Sequence, residues 1–442
     1  MKERETFGSR LGFILVSAGC AIGLGNVWKF PYMAGKYGGA AFILIYLIFL
    51  VLLGLPVLVC EFAVGRASRK STARAFHDLE PEGANFHNFS YMSMVSNYVL
   101  MMFYTMVAGW MLYYCYAMAA GKLAGKDSAQ VADYFTGLQD SAGTMTLWMI
   151  IVVVLSFGVC SLGVQRGLEK ITKVMMMCLL ALIVVLAVHS LTLDGAMEGA
   201  KFYLVPDFAA MAEIGIGNVI FGALSQAFFT LSIGAGSMTI FGSYLGKDRS
   251  LLGESLHITI LDTFVALMAG LIIIPACFSY NLDVGAGPSL LFVTLPTILQ
   301  DIPLGRLFAI ILYLAMIFAG ISSLQNMFEA VAESLLHKFP KLSRTAVLGI
   351  ICALCLGAGL FMEPISKWGP WMDLVSIYII PIGATLGAIS WFYVMKKDEL
   401  LDAVNTGSGK KHGALWYHVG RYIYVPMAVI LCCVALFMNI AF

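Results

Sequence analysis

Long hydrophobic runs with almost no charged residues follow one another along the whole chain. A membrane-spanning helix needs about 20 mostly apolar residues, and eleven runs approach or exceed that length, at residues 11–35, 38–64, 90–120, 144–164, 169–190, 216–245, 255–281, 304–336, 345–361, 371–395 and 419–441. A further apolar stretch, 284–300, is short and contains Pro288 and Pro296, so we expect an external loop with short helices there. The pattern predicts an all-α polytopic membrane protein with about eleven transmembrane helices.

Two of the runs, the first and the sixth, contain closely spaced glycines near their centres. Residues 22–26 are Ile-Gly-Leu-Gly-Asn, and residues 233–237 are Ile-Gly-Ala-Gly-Ser. Glycine weakens a helix by about 1 kcal/mol relative to alanine. Lipid tolerates unwound backbone only where that backbone lines a cavity. We therefore expect both helices to unwind around a mid-membrane ion and substrate site, as in secondary transporters.

The spacing of the two breaks also predicts an internal repeat. The sixth helix starts on the opposite side of the membrane from the first, because five helices precede it. A single transporter domain, 1–442, would thus contain a first repeat at 11–190 (helices 1–5), a second at 216–395 (helices 6–10) and an extra helix at 419–441. The two repeats would be related by a two-fold axis in the membrane plane.

Composition and charge agree with a membrane location. The 442 residues are 60% hydrophobic and 12% charged, whereas a soluble domain carries about a quarter charged residues. The net charge of +1 suggests no nucleic-acid partner. Of the 27 lysines and arginines, twenty fall on the side of the N-terminus and six on the other, with Lys29 inside the first run, so we expect the N-terminus inside and the C-terminus outside. No cleavable signal peptide is expected.

The unwound part of the first helix offers oxygen and amide groups to ligands. Free carbonyls of Gly19, Ala21 and Ile22 would suit a hard cation. The amides of Leu24 to Asn26 begin the second half of the helix, where the helix dipole favours a carboxylate. Alternatively, the glycines serve only close helix packing, but the matching break in the sixth run favours a binding role.

Polar residues inside three other runs are candidates for the same site. Asp262 lies in the middle of the seventh run, where a charge costs about 3 kcal/mol and is normally partnered, so we interpret it as a cation ligand or countercharge. The Ala319 carbonyl and the hydroxyls of Ser322 and Ser323 form a candidate second sodium site. For Glu61 we favour a structural role, either pairing with a basic residue or capping the sixth helix.

An intramembrane enzyme would need a cluster of catalytic side chains. His189, His257 and the ten cysteines show no nucleophile–base or metal-ligand spacing. We therefore expect no enzymatic activity.

Several longer motifs complete the sequence pattern. They are Arg10-Leu11-Gly12-Phe13, the nonapeptide Gly-Leu-Gly-Asn-Val-Trp-Lys-Phe-Pro at 23–31, Gly-Gly-Ala-Ala-Phe at 38–42, Glu-Phe-Ala-Val-Gly-Arg at 61–66, and the run 225–234. With Ser322 and Ser323, these residues resemble the neurotransmitter:sodium symporter family and its leucine-transporter-type fold. The resemblance covers helices 1–10, and the chain is similar to bacterial members with eleven helices.

The resemblance implies two sodium sites. The first would consist of the Ala21 carbonyl, the substrate carboxylate and the side chains of Asn26, Thr230 and Asp262. The second would consist of the carbonyls of Gly19, Ile22 and Ala319 with the hydroxyls of Ser322 and Ser323. Whether one or two sodium ions move per cycle stays open.

The resemblance also implies a substrate site and gates. The substrate-binding residues would be Ala21, Gly23, Leu24, Gly25, Leu100, Tyr104, Phe229, Thr230, Ser232, Ala235, Ser323 and Met327. Tyr104 and Phe229 would cover the substrate, and Lys29 with Asp373 would form an outer gate that is looser than one built with arginine. Arg4 would belong to an inner gate, with Glu329 or Glu333 as its acidic partner.

Two departures from the family pattern bear on the cargo. Chloride-requiring members have a neutral residue at the position of Asp262, near residues equivalent to Tyr46, Gln226 and Thr230, so the resemblance implies chloride independence here. Monoamine transporters have an aspartate at the position of Gly23, so an amino acid that brings its own carboxylate is expected.

The sequence thus predicts sodium-coupled, chloride-independent uptake of amino acids, with large hydrophobic or aromatic ones favoured. The expected partners are the amino acid, sodium and the lipid bilayer of a bacterial inner membrane, with the protein as a monomer or weak homodimer. An amino-acid receptor that binds but does not transport has the same binding residues and is the alternative. Protonation of Asp262 on the return step, giving proton countertransport, is a further hypothesis.

Overall fold

The computed structural model describes residues 7–285, 287, 289–301, 303–361, 365–409 and 411–438. Within these residues, nine unbroken helices are long and apolar enough to cross a bilayer. They are α2 (Ala40–Ser68), α3 (Ser90–Ala119), α4 (Ala142–Ser161), α5 (Val164–Leu191), α7 (Leu251–Ser279), α8 (Gly305–Lys338), α9 (Arg344–Phe361), α10 (Gly369–Val394) and α11 (Ala414–Val434).

The two remaining helices are interrupted at the glycine-rich segments. Helix α1 consists of α1a (Arg10–Ala21) and α1b (Gly25–Lys36), which meet at 55°. Helix α6 consists of α6a (Ile216–Thr230) and α6b (Ser237–Ser243), which are separated by six non-helical residues. The all-α fold, the eleven-helix order and both predicted breaks are therefore confirmed.

Short helices connect the spans at the surface of the bundle: Thr72–Leu79, Ser128–Asp140, Ala196–Leu204, Phe208–Ile214 and Lys397–Asn405. The stretch 284–300 contains the short helical segments Leu290–Thr294 and Leu295–Asp301, as expected for a loop that does not span. Helix α7 begins four residues earlier than predicted, because Ser250 caps it by accepting a hydrogen bond from the Gly253 amide.

The interrupted helices lie at the centre of the bundle. Helix α1a packs on α8, α1b on α7, and α6b on α2, while α3 and α8 pack along each other. The contact between α6b and α2 depends on Gly65 and Gly242, since a Cβ at Gly242 would lie 2.6 Å from the Phe62 carbonyl oxygen. This packing surrounds the two unwound segments with α2, α3, α7 and α8.

Candidate functional site

A central cavity lies between the two unwound segments, α3 and α8. The space between its lining atoms, open solvent at its mouth included, is about 430 Å³. Ten of the residues predicted to bind substrate line it: Ala21, Gly23, Gly25, Leu100, Tyr104, Phe229, Ser232, Ala235, Ser323 and Met327. Two predicted residues, Leu24 and Thr230, do not line it: the Leu24 contact with the lining is the bond from its backbone amide to the Tyr104 hydroxyl, and the Thr230 hydroxyl donates to Asp262.

At one edge of the cavity, side chains of α1b, α6a and α7 form what we call the Asp262 cluster (Asn26, Thr230 and Asp262). Asn26 Nδ2 donates to Asp262 Oδ1 at 2.7 Å, and the Thr230 hydroxyl donates to Asp262 Oδ2 at 2.8 Å. Asp262 is fully buried, and both of these partners are neutral. A buried carboxylate with only neutral partners creates a strong demand for a cation.

A second group of oxygens, the Ser323 cluster, joins α1a to α8. It comprises the hydroxyls of Ser322 and Ser323 and the carbonyls of Gly19, Cys20, Ile22 and Ala319. The Ser323 hydroxyl lies 3.1 to 3.2 Å from three of these carbonyl oxygens, although it has only one proton to donate. The cluster therefore has more acceptors than protons, and a cation with oxygen ligands suits that excess.

The break of α1 also shapes the end of the cavity nearest to α1b. The Leu24 amide donates to the Tyr104 hydroxyl at 2.7 Å. A Cβ at Gly23 would overlap this hydroxyl and lie 2.6 Å from Ser323 Oγ, while a Cβ at Gly25 would lie 2.8 Å from the Phe229 ring. The two glycines thus keep room for a ligand beside the helix terminus.

One part of the predicted carboxylate site is different from expectation. The Asn26 amide donates to the Gly23 carbonyl at 3.1 Å, so it does not face the cavity as a free donor. This bond forms a turn from residue 26 back to residue 23, at the point where the break leads into the π-helical turn from Gly25 to Lys29.

The unwound segment of α6 is fastened by side chains from α2 and α3. Glu61 Oε1 accepts a hydrogen bond from the Gly234 amide at 2.7 Å, and the Ser93 hydroxyl donates to the Gly234 carbonyl at 2.7 Å. Asn97 Nδ2 donates to the Ala235 carbonyl. Ser232 has a φ of +52°, which is an unusual value for a residue with a side chain. Of the two roles left open for Glu61, the capping of helix 6 is the one observed.

Four residues of the cavity wall were missed by the sequence analysis: Cys20, Asn97, Ser237 and Ile380. A pattern could have indicated Asn97, because it precedes Leu100 and Tyr104 by three and seven residues and thus shares their helix face. Ile380 belongs to α10 and reaches the cavity only through tertiary packing.

Above the cavity, on the side opposite the N-terminus, Lys29 and Phe229 lie together. The Lys29 ammonium is 3.8 Å from the centroid of the Phe229 ring, and Lys29 also interacts electrostatically with Asp373. The predicted gating residues of this side are therefore neighbours in the structure.

On the N-terminal side, the start of α1a is tied to two other helices. Glu169 of α5 accepts hydrogen bonds from the Gly8 amide and the Ser9 hydroxyl, both at 2.7 Å. Arg10 forms an ion pair with Glu254 of α7 at 2.8 Å. These contacts hold the N-terminal end of α1a against α5 and α7.

The predicted inner-gate residue Arg4 lies outside the described residues. Its two candidate partners, Glu329 and Glu333, both form ion pairs with Arg344 at the start of α9. The Tyr244 hydroxyl, just after α6b, donates to Glu329 at 2.8 Å. Sequence reasoning missed Arg344 because α8 and α9 are joined by a turn whose geometry the local pattern does not specify.

Comparison with known proteins identifies the chain. The family model described as the sodium:neurotransmitter symporter family matches residues 4–137 and 129–441. The chain belongs to this family. The symporter is 36% identical to the sodium-dependent transporter YhdH of Bacillus subtilis, over 96% of each chain. It is 32% identical to a sodium-dependent transporter of Methanocaldococcus jannaschii, over 95% of this chain and 88% of the relative.

The fold of the symporter is also that of a solved relative. The crystal structure of MhsT in complex with L-phenylalanine matches with a TM-score of 0.88 and 32% identity, covering 98% of this chain and all of the other. The predicted leucine-transporter-type fold is thereby confirmed. The symporter is a multi-pass membrane protein that couples transport of a small molecule to sodium, and it is not an enzyme.

Proposed function

We propose that the symporter takes up amino acids with large hydrophobic or aromatic side chains, driven by sodium and without chloride. The observation that carries the proposal is the position of the two oxygen-rich clusters, one on each side of the α1 break that borders the cavity. A cation bound at either place would fix the conformation of the segment that holds the substrate.

The first sodium would bind in the Asp262 cluster. The carboxylate brings the negative charge and the Thr230 hydroxyl a further oxygen atom, while Asn26 Oδ1, which accepts from the Gly23 amide at 3.2 Å in this structure, would be the third side-chain ligand. The Ala21 carbonyl borders the same cavity and would complete the site together with the carboxylate of the substrate. Shared coordination of this kind makes sodium and substrate binding mutually dependent.

The second sodium would bind in the Ser323 cluster. All of its groups are neutral oxygens, and they come from the N-terminal half of α1 and from α8. A cation there would hold α1a against α8, whereas an empty site would leave the two helices joined by weak hydroxyl–carbonyl bonds. The proposed sodium stoichiometry is therefore two.

The substrate site favours an amino acid with an apolar side chain. Gly23 and Gly25 leave room for a carboxylate beside the start of α1b, and no fixed carboxylate is present at Gly23 to bind a simple amine. Leu100, Ala235, Met327 and Ile380 provide apolar walls. The bound phenylalanine of the similar protein MhsT supports this class of substrate.

Chloride independence follows from the charge of Asp262. Tyr46 is buried beside it, and the buried Gln226 donates through Nε2 to the Gly25 carbonyl at 3.2 Å. A fixed carboxylate at the centre of this group balances the sodium charge, so an added anion would be repelled.

Transport would proceed by alternating access between the two five-helix repeats, 11–190 and 216–395. Phe229 and Tyr104 line the cavity and would close it on one side, and the Glu169 and Glu254 contacts would close it on the other. With the N-terminus inside the bacterial inner membrane, sodium would enter from outside and each net charge moved would gain about 2.3 kcal/mol per 100 mV.

Uptake by the purified protein in proteoliposomes tests the proposal. Labelled tyrosine, tryptophan, phenylalanine and leucine are added outside with sodium or potassium, and with chloride or gluconate as anion. We expect accumulation only with an inward sodium gradient and equal rates in the two anions. The Ser323→Ala variant should need about tenfold more sodium for half-maximal uptake, because it loses a ligand of the second site.

Two results would contradict the proposal. Sodium-dependent binding without accumulation would show a receptor, the alternative with the same binding residues. A chloride requirement in the wild-type protein would remove the assigned role of Asp262 while leaving sodium-coupled uptake intact.

A further inference from the structure

The face of α3 that borders the cavity changes character along its length. Tyr104, at one end, contacts the Leu24 amide beside the proposed carboxylate position. Asn97 lies seven residues earlier, which is about 10 Å along a helix. Leu100 occupies the apolar stretch between them. The far end of a bound side chain would therefore meet Asn97 and its neighbours.

The polar atoms at that far end belong to three residues, which we call the cavity floor: Asn97, Ser232 and Ser237. Both amide protons of Asn97 face backbone carbonyls, those of Ala235 and Ser93. The Ser237 hydroxyl donates to Asn97 Oδ1 at 3.2 Å, and the Ser232 hydroxyl donates to the Cys20 carbonyl at 3.2 Å. Every proton of the floor is therefore already engaged within the protein.

The lone pairs of the floor are not all engaged. An amide oxygen accepts two hydrogen bonds and a hydroxyl oxygen two as well, yet among the described residues Asn97 Oδ1 has one donor, that of Ser237. The thiol of Cys20 is close to Ser232 and Ser237, but its single weak proton satisfies at most one acceptor. The floor is thus an acceptor surface at the end of an otherwise apolar cavity.

We propose that this floor binds a hydrogen-bond donor at the tip of the substrate side chain, so that tyrosine and tryptophan are preferred over phenylalanine and leucine. The inference rests on the proposed function and specifies its substrate. A phenol O–H or an indole N–H completes the hydrogen bonding of Asn97 Oδ1, whereas a plain phenyl ring leaves that buried acceptor without a second donor. Acidic side chains bring no proton and are excluded for the same reason.

The test compares matched ligands on the purified protein in sodium. Affinities are measured for tyrosine, phenylalanine and 4-methoxyphenylalanine, which keeps the oxygen of tyrosine without its proton. We expect wild-type protein to bind tyrosine about fivefold more tightly than either analogue. This affinity ratio corresponds to the free energy of one ordinary hydrogen bond.

Two variants separate recognition from structural support. Asn97→Leu should reduce the tyrosine preference to near one while phenylalanine affinity changes by less than about threefold. Ser237→Ala leaves the bond between Asn97 and Ala235 in place and removes the donor that Asn97 Oδ1 already has, so it should keep or increase the tyrosine preference. Ser96→Ala is the control, because Ser96 is buried on α3 but does not line the cavity, and it should leave the preference unchanged.

The possible outcomes test the tyrosine preference and the proposed function separately. Equal affinity of wild-type protein for tyrosine and phenylalanine, an equal loss for both ligands in Asn97→Leu, or loss of the tyrosine preference in Ser237→Ala would overturn the inference alone. Failure of every amino acid to bind in sodium would overturn the proposed function, and the inference with it.

Discussion

The side-chain amide of Asn26 donates to the Asp262 carboxylate at 2.7 Å, and this bond joins the broken helix α1 directly to α7. The two residues are 236 positions apart in sequence, and both are fully buried. A sodium ion at this carboxylate would thus act on the conformation of the α1 break. The link gives a physical reason for coupling between cation and substrate, because the proposed substrate site borders the same segment.

Replacement of Asp262 tests its role as the resident negative charge. Asp262→Asn keeps the size of the side chain and removes its charge, so sodium in the cluster would lose its countercharge. We expect uptake in gluconate to fall by at least about tenfold and to recover in part when chloride is supplied. The measurement is initial uptake rate in the two anions.

Wild-type protein measured in parallel provides the control, since its rate should not depend on the anion. If the Asp262→Asn variant took up substrate in gluconate as fast as wild-type protein does, the charge of Asp262 would be dispensable.

The glycine at the α1 break makes a steric prediction. A Cβ at Gly23 would collide with the Tyr104 hydroxyl and crowd Ser323, so Gly23→Ala should weaken substrate binding by about tenfold or more. Gly320→Ala in α8 is the matched control, because its nearest neighbour would be 4.0 Å away. Affinity is measured by titration in sodium, and similar losses in both variants would argue against the steric account.

The bond from the Gly234 amide to Glu61 predicts an effect on stability. Glu61→Met leaves a buried N–H without an acceptor, which costs about 1–3 kcal/mol. Glu61→Gln retains an acceptor oxygen and should be less destabilised. The melting temperatures of the two variants in detergent measure this difference. A lower melting temperature for Glu61→Gln than for Glu61→Met would contradict the prediction.

The contacts of Glu169 predict how the N-terminal side opens. Glu169→Gln replaces one acceptor oxygen by a donor group, so one of its two bonds to Gly8 and Ser9 is lost. Since bonds to a charged group are worth about 1.5–3 kcal/mol, access from that side should become roughly tenfold faster. The rate of maleimide reaction at the cavity residue Cys20, with all other cysteines replaced, measures this access.

Glu198→Gln is a suitable control, because Glu198 is exposed on a short connecting helix. Unchanged labelling in Glu169→Gln would show that these contacts do not hold the N-terminal side closed.

The helical fold was predictable because lipid imposes a simple rule on the sequence. Each span must be a long apolar helix, so hydropathy alone located all eleven, and the glycines at 23–25 and 234–236 marked where regular winding ends. Errors were confined to helix ends such as that of α7, where a capping serine rather than hydrophobicity determines the first residue.

Two members of the Asp262 cluster were proposed as ligands only through family resemblance. Asn26 and Thr230 have side chains that occur in any helix, and nothing local distinguishes them as ligands. Asp262 stood out by itself, because an ionisable residue inside a hydrophobic run is costly unless it has a function.

By itself, the sequence determined the membrane location, the number of helices, the two breaks and the presence of a buried charge, since each depends on the identity of residues that are close in the chain. Only the tertiary structure decided which groups meet: Glu61 with Gly234, Glu329 with Arg344, and Asn97 with Ser237 at the cavity floor. Such pairings depend on how helices pack in three dimensions, and distances between atoms of distant segments leave no periodic trace in a single sequence.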